Sequence, residues 1–386
     1  MLKLYKPIDL RKLDVLNIPN CEFHLHEPSS ILDFSDKTSQ VFFGKQDDLV
    51  DLDGLTSIFT DSYRAPEVYT AIIKNCIVSP RCPKLPRYWG IFFEDYYAYN
   101  FINNEAKVKF QQSNIFKMEE NNISLNLNNI NKVHINGLSV WFYPFKNIDH
   151  LLRECLPSLI NLKKLGYTPQ DLNFICPEIT DDIIYFLEQF GVPSNRIIKL
   201  DNYWMSFDKL ILPCFSSFGH LHTPTKYYID VINSITKENN STENSPERIY
   251  VSRRNANIRK IINEDIIIDD LKERGFEVIE PGEYSKIEQM HLFSNAKIIV
   301  GAHGMGIANS VFSNNLKLLL EIMNTDYNRV SYFRTAQLKN SIYAAYYISP
   351  LNLAFCPKDN KFGNVLIDRE KFIHYLDFLL QKVDVH

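Results

Sequence analysis

The 386-residue chain is 45% apolar and 23% charged and carries 26 Phe, 21 Tyr and 3 Trp, so it can bury two or three packed cores, and disordered, collagen-like and coiled-coil readings are excluded. A balance of 42 basic against 46 acidic side chains, formally −4, gives no field to draw the protein onto nucleic acid. No run reaches the ~20 apolar residues of a membrane span, and the N-terminus meets charge within a few residues, so a cytoplasmic start with reduced thiols is expected. The cysteines (Cys21, Cys76, Cys82, Cys155, Cys176, Cys214, Cys356) are odd in number and include no Cys-x-x-Cys pair.

Residues 1–135 lack regular alternation of strands and helices and are dominated by short aromatic runs (Tyr88-Trp-Gly-Ile-Phe-Phe) and Asn-rich stretches, which predicts a mixed, strand-rich N-terminal region. From about 140 an α/β rhythm sets in. A helix over 148–165 is followed by a strand at Asn173-Phe-Ile-Cys, a helix over 181–190 closing at Gly191, strand candidates at Arg196-Ile-Ile-Lys-Leu and Lys209-Leu-Ile-Leu-Pro, and a helix over 225–236. The wholly polar stretch 237–246 reads as a linker, which divides a domain over 136–240 from one over 241–365. In the second, strands at Arg248-Ile-Tyr-Val-Ser, Phe276-Glu-Val-Ile, Lys297-Ile-Ile-Val-Gly and Lys317-Leu-Leu-Leu-Glu-Ile alternate with helices over 263–274, 285–295 and 304–312, the pattern of a doubly wound α/β unit. A last helix within 366–386, apolar at Phe372, Tyr375, Leu376, Leu379 and Leu380, is expected to pack back on the 136–240 domain.

Ligands of open α/β sheets sit at the carboxyl ends of the strands. After the strand ending at Val251 comes Ser252-Arg253-Arg254, with Arg259-Lys260 just beyond, the densest cationic cluster of the chain and suited to a diphosphate. After Lys297-Ile-Ile-Val comes Gly301-Ala-His303-Gly304-Met-Gly306-Ile-Ala-Asn309, where glycines admit a ligand to the backbone ahead of a helix N-terminus; by itself this loop is as well read as a tight turn. Glu321 ends the next strand, where a carboxylate can accept both hydroxyls of a ribose or simply pair at a strand end. Together these point to a nucleotide site. Upstream, Asp149-His150 opens a helix and Glu154 follows at i+4, either a general base with its orienting acid or a cap and surface ion pair. Asp51-Leu-Asp53 matches a metal-holding Asp-x-Asp but lies in an acidic turn and reads as a solvated loop; no zinc spacing and no Gly-x-Ser-x-Gly appear.

The ordered set Tyr250-Val-Ser-Arg253-Arg254, Arg259, Asn263-Glu264, Gly275-Phe276, Glu288-Gln289, Gly301-x-His303-Gly304, Asn309 and Glu321, with the upstream Asp149-His150-x-x-x-Glu154-x-Leu-Pro157, resembles the family 61 glycosyltransferases over about half the chain. The resemblance implies a GT-B architecture, two facing Rossmann-like domains with a nucleotide sugar held by the C-terminal one and the acceptor in the cleft. It further implies inverting transfer without nicotinamide, flavin or metal. On that model Arg253, Arg254 and Arg259 neutralise the departing diphosphate, the loop with Gly301, Gly304 and Gly306 and its helix N-terminus hold phosphate oxygens, Asn309 belongs to the same donor site, and His303 contacts phosphate or donor sugar, with a base role as its alternative. His150 or Glu154 would deprotonate the acceptor hydroxyl, with Asp149 in support, while Glu264 and Gln289 would cap or buttress the loops. Leu151 and Ser158 depart from the aromatic and basic residues usual at these places in the family, which bears on acceptor recognition.

The expectation is therefore an inverting glycosyltransferase with a UDP-linked donor and a glycan or lipid-linked glycan acceptor in capsule, lipopolysaccharide or other surface-glycan synthesis. It would be cytoplasmic, with room for peripheral contact at the inner membrane face. The alternatives are a non-catalytic nucleotide-sugar or glycan-binding subunit of an assembly complex, and transfer of another group, such as pyruvate, to a polysaccharide.

Overall fold

The computed structural model describes residues 2–35, 40–48, 50–80, 90–99, 117–119, 122–200, 203–215, 217, 222–236, 245–351 and 363–384. The fold is mixed α/β, and contacts divide the chain into Met1–Ser30 with Pro66–Gly219, and Ile31–Ala65 with His220–His386. The expected boundaries at 135 and 240 are not where this division falls. Strand Val68–Val78 pairs antiparallel with Trp204–Pro213, and Val41–Lys45 pairs parallel with Ile342–Ile348, so the N-terminal strands complete the two sheets instead of forming a body of their own. Most of the expected linker, 237–244, lies outside the described residues.

In the first unit four parallel strands run side by side in the order Ile197–Lys199, Asn173–Cys176, Lys132–Trp141, Trp204–Pro213. Numbered along the chain this is 3-2-1-4, so the order reverses between Lys132–Trp141 and Trp204–Pro213. The helix Asp181–Gln189 begins at Thr180, whose hydroxyl accepts from the Ile183 N–H, and ends where Gly191 takes φ +93°; it buries Ile183, Phe186 and Leu187.

In the second unit every strand pair of the six-stranded sheet is parallel, in the order Glu277–Ile279, Arg248–Val251, Ile298–Ala302, Leu318–Asn324, Ile342–Ile348, Val41–Lys45. Counted from Arg248, the first five run 2-1-3-4-5, an order found in doubly wound sheets, with its reversal between Arg248–Val251 and Ile298–Ala302. All seven residues of Leu318–Asn324 and of Ile342–Ile348 are buried because helices cover both faces, which is why these strands read as largely apolar runs, the first interrupted by Glu321 and ending at Asn324. Tyr250, Val300, Leu320, Ile322 and Tyr346 pack on one face against Ile267 and Leu271 of the helix Asp265–Glu273.

The last helix, Arg369–Asp384, packs on that same face, which corrects the expectation that it reaches back to the other domain. Its apolar stripe, Phe372, Leu376, Leu379 and Val383, is buried in the second unit's core. Charge fixes its place, since Arg274 donates to both carboxylate oxygens of Asp377 at 2.6 and 2.8 Å and Arg369 to those of Asp270 at 2.6 and 2.7 Å. Leu376→Ala is expected to cost about 2–5 kcal/mol, read as a lower denaturant midpoint with an unchanged slope.

Candidate functional site

The reversal of strand order in the second unit opens a crevice at the strands' carboxyl ends, and the loops that leave the two flanking strands are 252–260 and 303–304. Glycine lets them touch. A Cβ on Gly301 would stand 2.9 Å from both Cβ and the carbonyl oxygen of Val251, one on Gly306 would stand 2.7 Å from Val251 Cγ1, and one on Gly304 would overlap the guanidinium of Arg253. These obstacles differ in kind: Val251 belongs to a buried strand, whereas the Arg253 tip can swing away. Gly301→Ala is therefore expected to destabilise the fold by about 1–3 kcal/mol. Gly304→Ala should keep a near-native melting temperature while displacing Arg253, and so lose ligand response without losing the fold; melting curves with and without nucleotide check both.

Arg253 donates from Nη2 to the Ile258 carbonyl at 3.0 Å, while its Nε is buried with no hydrogen-bond partner. Arg259, held at φ +55°, likewise has a buried Nε without a partner, and its guanidinium lies 4.6 Å from the ring centroid of Tyr327. Burial, and after it the charge of Arg259, lowers the Arg253 pKa, the mark of a cation short of counter-charge. Arg254 turns outward to Asp265 at 2.5 Å. The loop itself is braced by Glu264, a buried carboxylate that accepts from Tyr250 Oη (2.7 Å), Ser252 Oγ (3.1 Å) and the Arg253 N–H (3.3 Å). Burial and the nearby Glu264 charge keep the Tyr250 phenol protonated. Gln289 does the same for the second loop: it accepts from Asn309 Nδ2 at 2.9 Å and donates to the carbonyls of Pro281 and Tyr284 at 2.6 and 2.9 Å.

Glu321 corrects its expected role. It is 0% exposed, and its two oxygens accept from His303 Nδ1 and Tyr343 Oη, both at 2.7 Å, so the carboxylate is turned into the protein and away from a ribose. The strand continues to Asn324, which leaves Glu321 three residues inside the sheet edge with its side chain on a covered face. His303 is 7% exposed, between the rings of Tyr327 and Tyr332 at 5.3 and 5.2 Å, and with Arg259, Asn324 and Tyr327 it lines a small recess. Tyr332 Oη donates to the Gly304 carbonyl at 2.9 Å.

In the first unit His150 and Glu154 also sit beside a reversal of strand order, on the helical segment that follows Lys132–Trp141. That segment is not one regular helix. It opens with Ile148–His150, widens into a π turn at Leu151–Cys155, tightens at Leu156–Leu159 around Pro157, and resumes at Ile160–Lys164. A π turn interrupts the regular ladder and recurs at functional sites. His150 Nδ1 donates to Glu154, which leaves Nε2 as the outward ring atom; the His150 side chain is 34% exposed and that of Glu154 4%. Arg153, fully buried, pairs with Asp149 at 2.8 Å and stands 3.6 Å from Glu154. Phe145 packs on the His150 ring at 5.3 Å and on Phe215, which follows the neighbouring strand, at 5.6 Å.

Tyr327, Tyr332, Tyr343, Arg153, Phe145 and Phe215 carry no local signal in the sequence. They fall in no motif and reach their sites only through strand order. Among the described residues no group of three or more His, Cys, Asp or Glu side chains could hold a metal ion. Asp51 of the Asp-x-Asp pair caps the helix Leu52–Thr56 by accepting from the Gly54 N–H at 3.2 Å. No described helix is long and apolar enough to cross a membrane.

A cation-lined glycine turn at the reversal point of a parallel sheet is the place where open α/β proteins can hold a phosphorylated ligand. Residues 148–319 match the family model described as Glycosyltransferase 61, a span that opens two residues before His150 and closes two before Glu321. The chain thus carries a glycosyltransferase 61 domain and is a glycosyltransferase, a class that joins a sugar donor to an acceptor. No curated protein matches the chain.

Proposed function

We propose that the protein is an inverting, metal-independent glycosyltransferase of GT-B type that moves a sugar from a UDP-linked donor to a hydroxyl of a capsule, lipopolysaccharide or other surface glycan. The observation that carries this reading is the uncompensated pair Arg253 and Arg259, each with a buried, unpartnered Nε, beside a loop in which Gly304 leaves room only for the Arg253 tip. A diphosphate supplies the missing acceptors, and its charge grows as the sugar–phosphate bond breaks, so the same arginines favour the transition state over the ground state. Arg254 and Asn309 belong to the rim and the brace of that site.

In this reading His150 is the base and Glu154 orients it, because the imidazole is the more exposed partner and its Nε2 is the outward atom. His150 takes the acceptor proton as the hydroxyl oxygen attacks the anomeric carbon and the nucleoside diphosphate leaves, which inverts that carbon. Phe145 and Phe215 offer a sugar an apolar wall. The reading places the enzyme in the cytoplasm, with peripheral contact at the inner membrane face.

Melting the protein with UDP, GDP and CMP tests the donor. A nucleotide that binds only the folded state stabilises it by about 2.7 kcal/mol at one hundred times its Kd. Selective stabilisation by UDP is expected. No stabilisation by any of the three would remove the donor site, and a preference for GDP or CMP would replace the uridine.

A further inference from the structure

A buried polar chain in the second unit runs inward from the glycine loop: His303 Nδ1 to Glu321 Oε1 at 2.7 Å, and Glu321 Oε2 to Tyr343 Oη at 2.7 Å. All three residues are buried, and Glu321 completely so. Burial and the Glu321 charge raise the Tyr343 pKa well above that of a free phenol, so Tyr343 remains a donor and Glu321 an acceptor on both sides. Phe59 and Phe333, at 5.6 and 5.2 Å from the Tyr343 ring, lock that end in place. A carboxylate that accepts from Nδ1–H fixes the tautomer and the ring plane, and leaves Nε2 as the working atom. No described residue hydrogen-bonds His303 Nε2, and the recess His303 lines also contains Arg259 and Tyr327.

We propose that Glu321 and Tyr343 are positioning residues for His303, holding Nδ1–H so that Nε2 is presented to the diphosphate of the sugar donor. The proposal rests on the donor reading above. With Nδ1–H committed to the carboxylate, Nε2 is the ring atom that faces a diphosphate oxygen, and a proton carried there makes a charge-assisted hydrogen bond to the anion. The other groups facing the ring are the phenol rings of Tyr327 and Tyr332, with the Arg259 and Arg329 guanidiniums stacked on Tyr327 at 4.6 and 4.7 Å. These two cations are neutralised when the anion arrives.

The test uses the full chain, titrated calorimetrically with inorganic pyrophosphate and with UDP, for the wild type, Glu321→Gln, Tyr343→Phe, His303→Gln and the Glu321→Gln/His303→Gln double variant. The ring nitrogens of His303 are followed by NMR in parallel. Glu321→Gln and His303→Gln should each weaken pyrophosphate binding roughly 10–100-fold, and the double variant no further, because one residue acts through the other. Tyr343→Phe, the milder change, should weaken it less. In the wild type Nδ1 should carry a proton before and after the ligand is added, and the Nε2 resonance should move on binding. Undiminished binding by Glu321→Gln and Tyr343→Phe beside a weak His303→Gln would overturn the proposal alone, as would additive losses in the double variant or an Nε2 signal unmoved by ligand. A wild type that binds neither pyrophosphate nor UDP would overturn the donor reading and the proposal with it. Pyrophosphate bound without UDP would retain the proposal and discard the uridine.

Discussion

Arg253→Met is expected to abolish stabilisation by the donor nucleotide while leaving the melting temperature of the ligand-free protein unchanged or slightly higher. The two effects have one cause. Arg253 is half-buried and stands beside Arg259, and both features lower its pKa in the folded chain. A base whose folded pKa is depressed binds its proton less well folded than unfolded, so at neutral pH, below both values, its charge works against folding. Methionine keeps the packed stem and removes that charge. The same charge is what a diphosphate needs, so sugar transfer should fall on the order of 10²–10³ in kcat/KM, the loss typical of one donor to a developing negative charge. Melting curves with and without nucleotide, followed by transfer assays, separate the two effects. A variant that melts lower without ligand yet still responds to nucleotide would assign Arg253 to the fold and not to the donor site.

His150→Ala should lower transfer by roughly 10²–10⁴ while leaving nucleotide stabilisation intact, because a general base acts on the acceptor and not on the diphosphate. Glu154→Gln keeps a hydrogen-bond acceptor for His150 Nδ1 but not its charge, and should give a smaller loss. Its cost to the fold should be modest, because Arg153 keeps its pairing with Asp149 at 2.8 Å. Asp149→Ala removes that partner from a fully buried guanidinium and should cost about 3–5 kcal/mol, a stability effect that denaturant titration distinguishes from a catalytic one. If His150→Ala and Glu154→Gln both transfer at the wild-type rate, the base lies elsewhere, and His303 becomes the next residue to replace.

The helix Asp181–Gln189 and its stop at Gly191, the buried strand Asn173–Cys176, and the succession of strands and helices from Arg248 to Glu321 were all legible in the sequence, because caps, glycine stops and apolar runs act within a few residues. The cationic loop and the glycine turn were legible for the same reason: each is a short contiguous stretch whose residue types limit what its backbone and charge can do. Pairing and facing were not. Nothing local in Val41–Lys45 says that it adds to the edge of a sheet whose other strands begin two hundred residues later, and nothing in Val68–Val78 names Trp204–Pro213 as its antiparallel partner.

The sequence by itself determined that a phosphate-suited cluster stands at the ends of consecutive strands, and that His150 and Glu154 share a helical face. Only the tertiary structure decided which way each group points. Glu321 looked like a strand-end acid, yet with the strand running on to Asn324 it faces a covered side of the sheet and turns from a ligand contact into the support of His303. The last helix carried the apolar stripe of a packing helix in either case, and Asp270 and Asp377, paired with Arg369 and Arg274, set it on the second unit. The physical reason is common to all of these: local pattern fixes the conformation of a segment, whereas the partner a side chain meets depends on strand order, which is settled by the total burial that the whole chain can achieve.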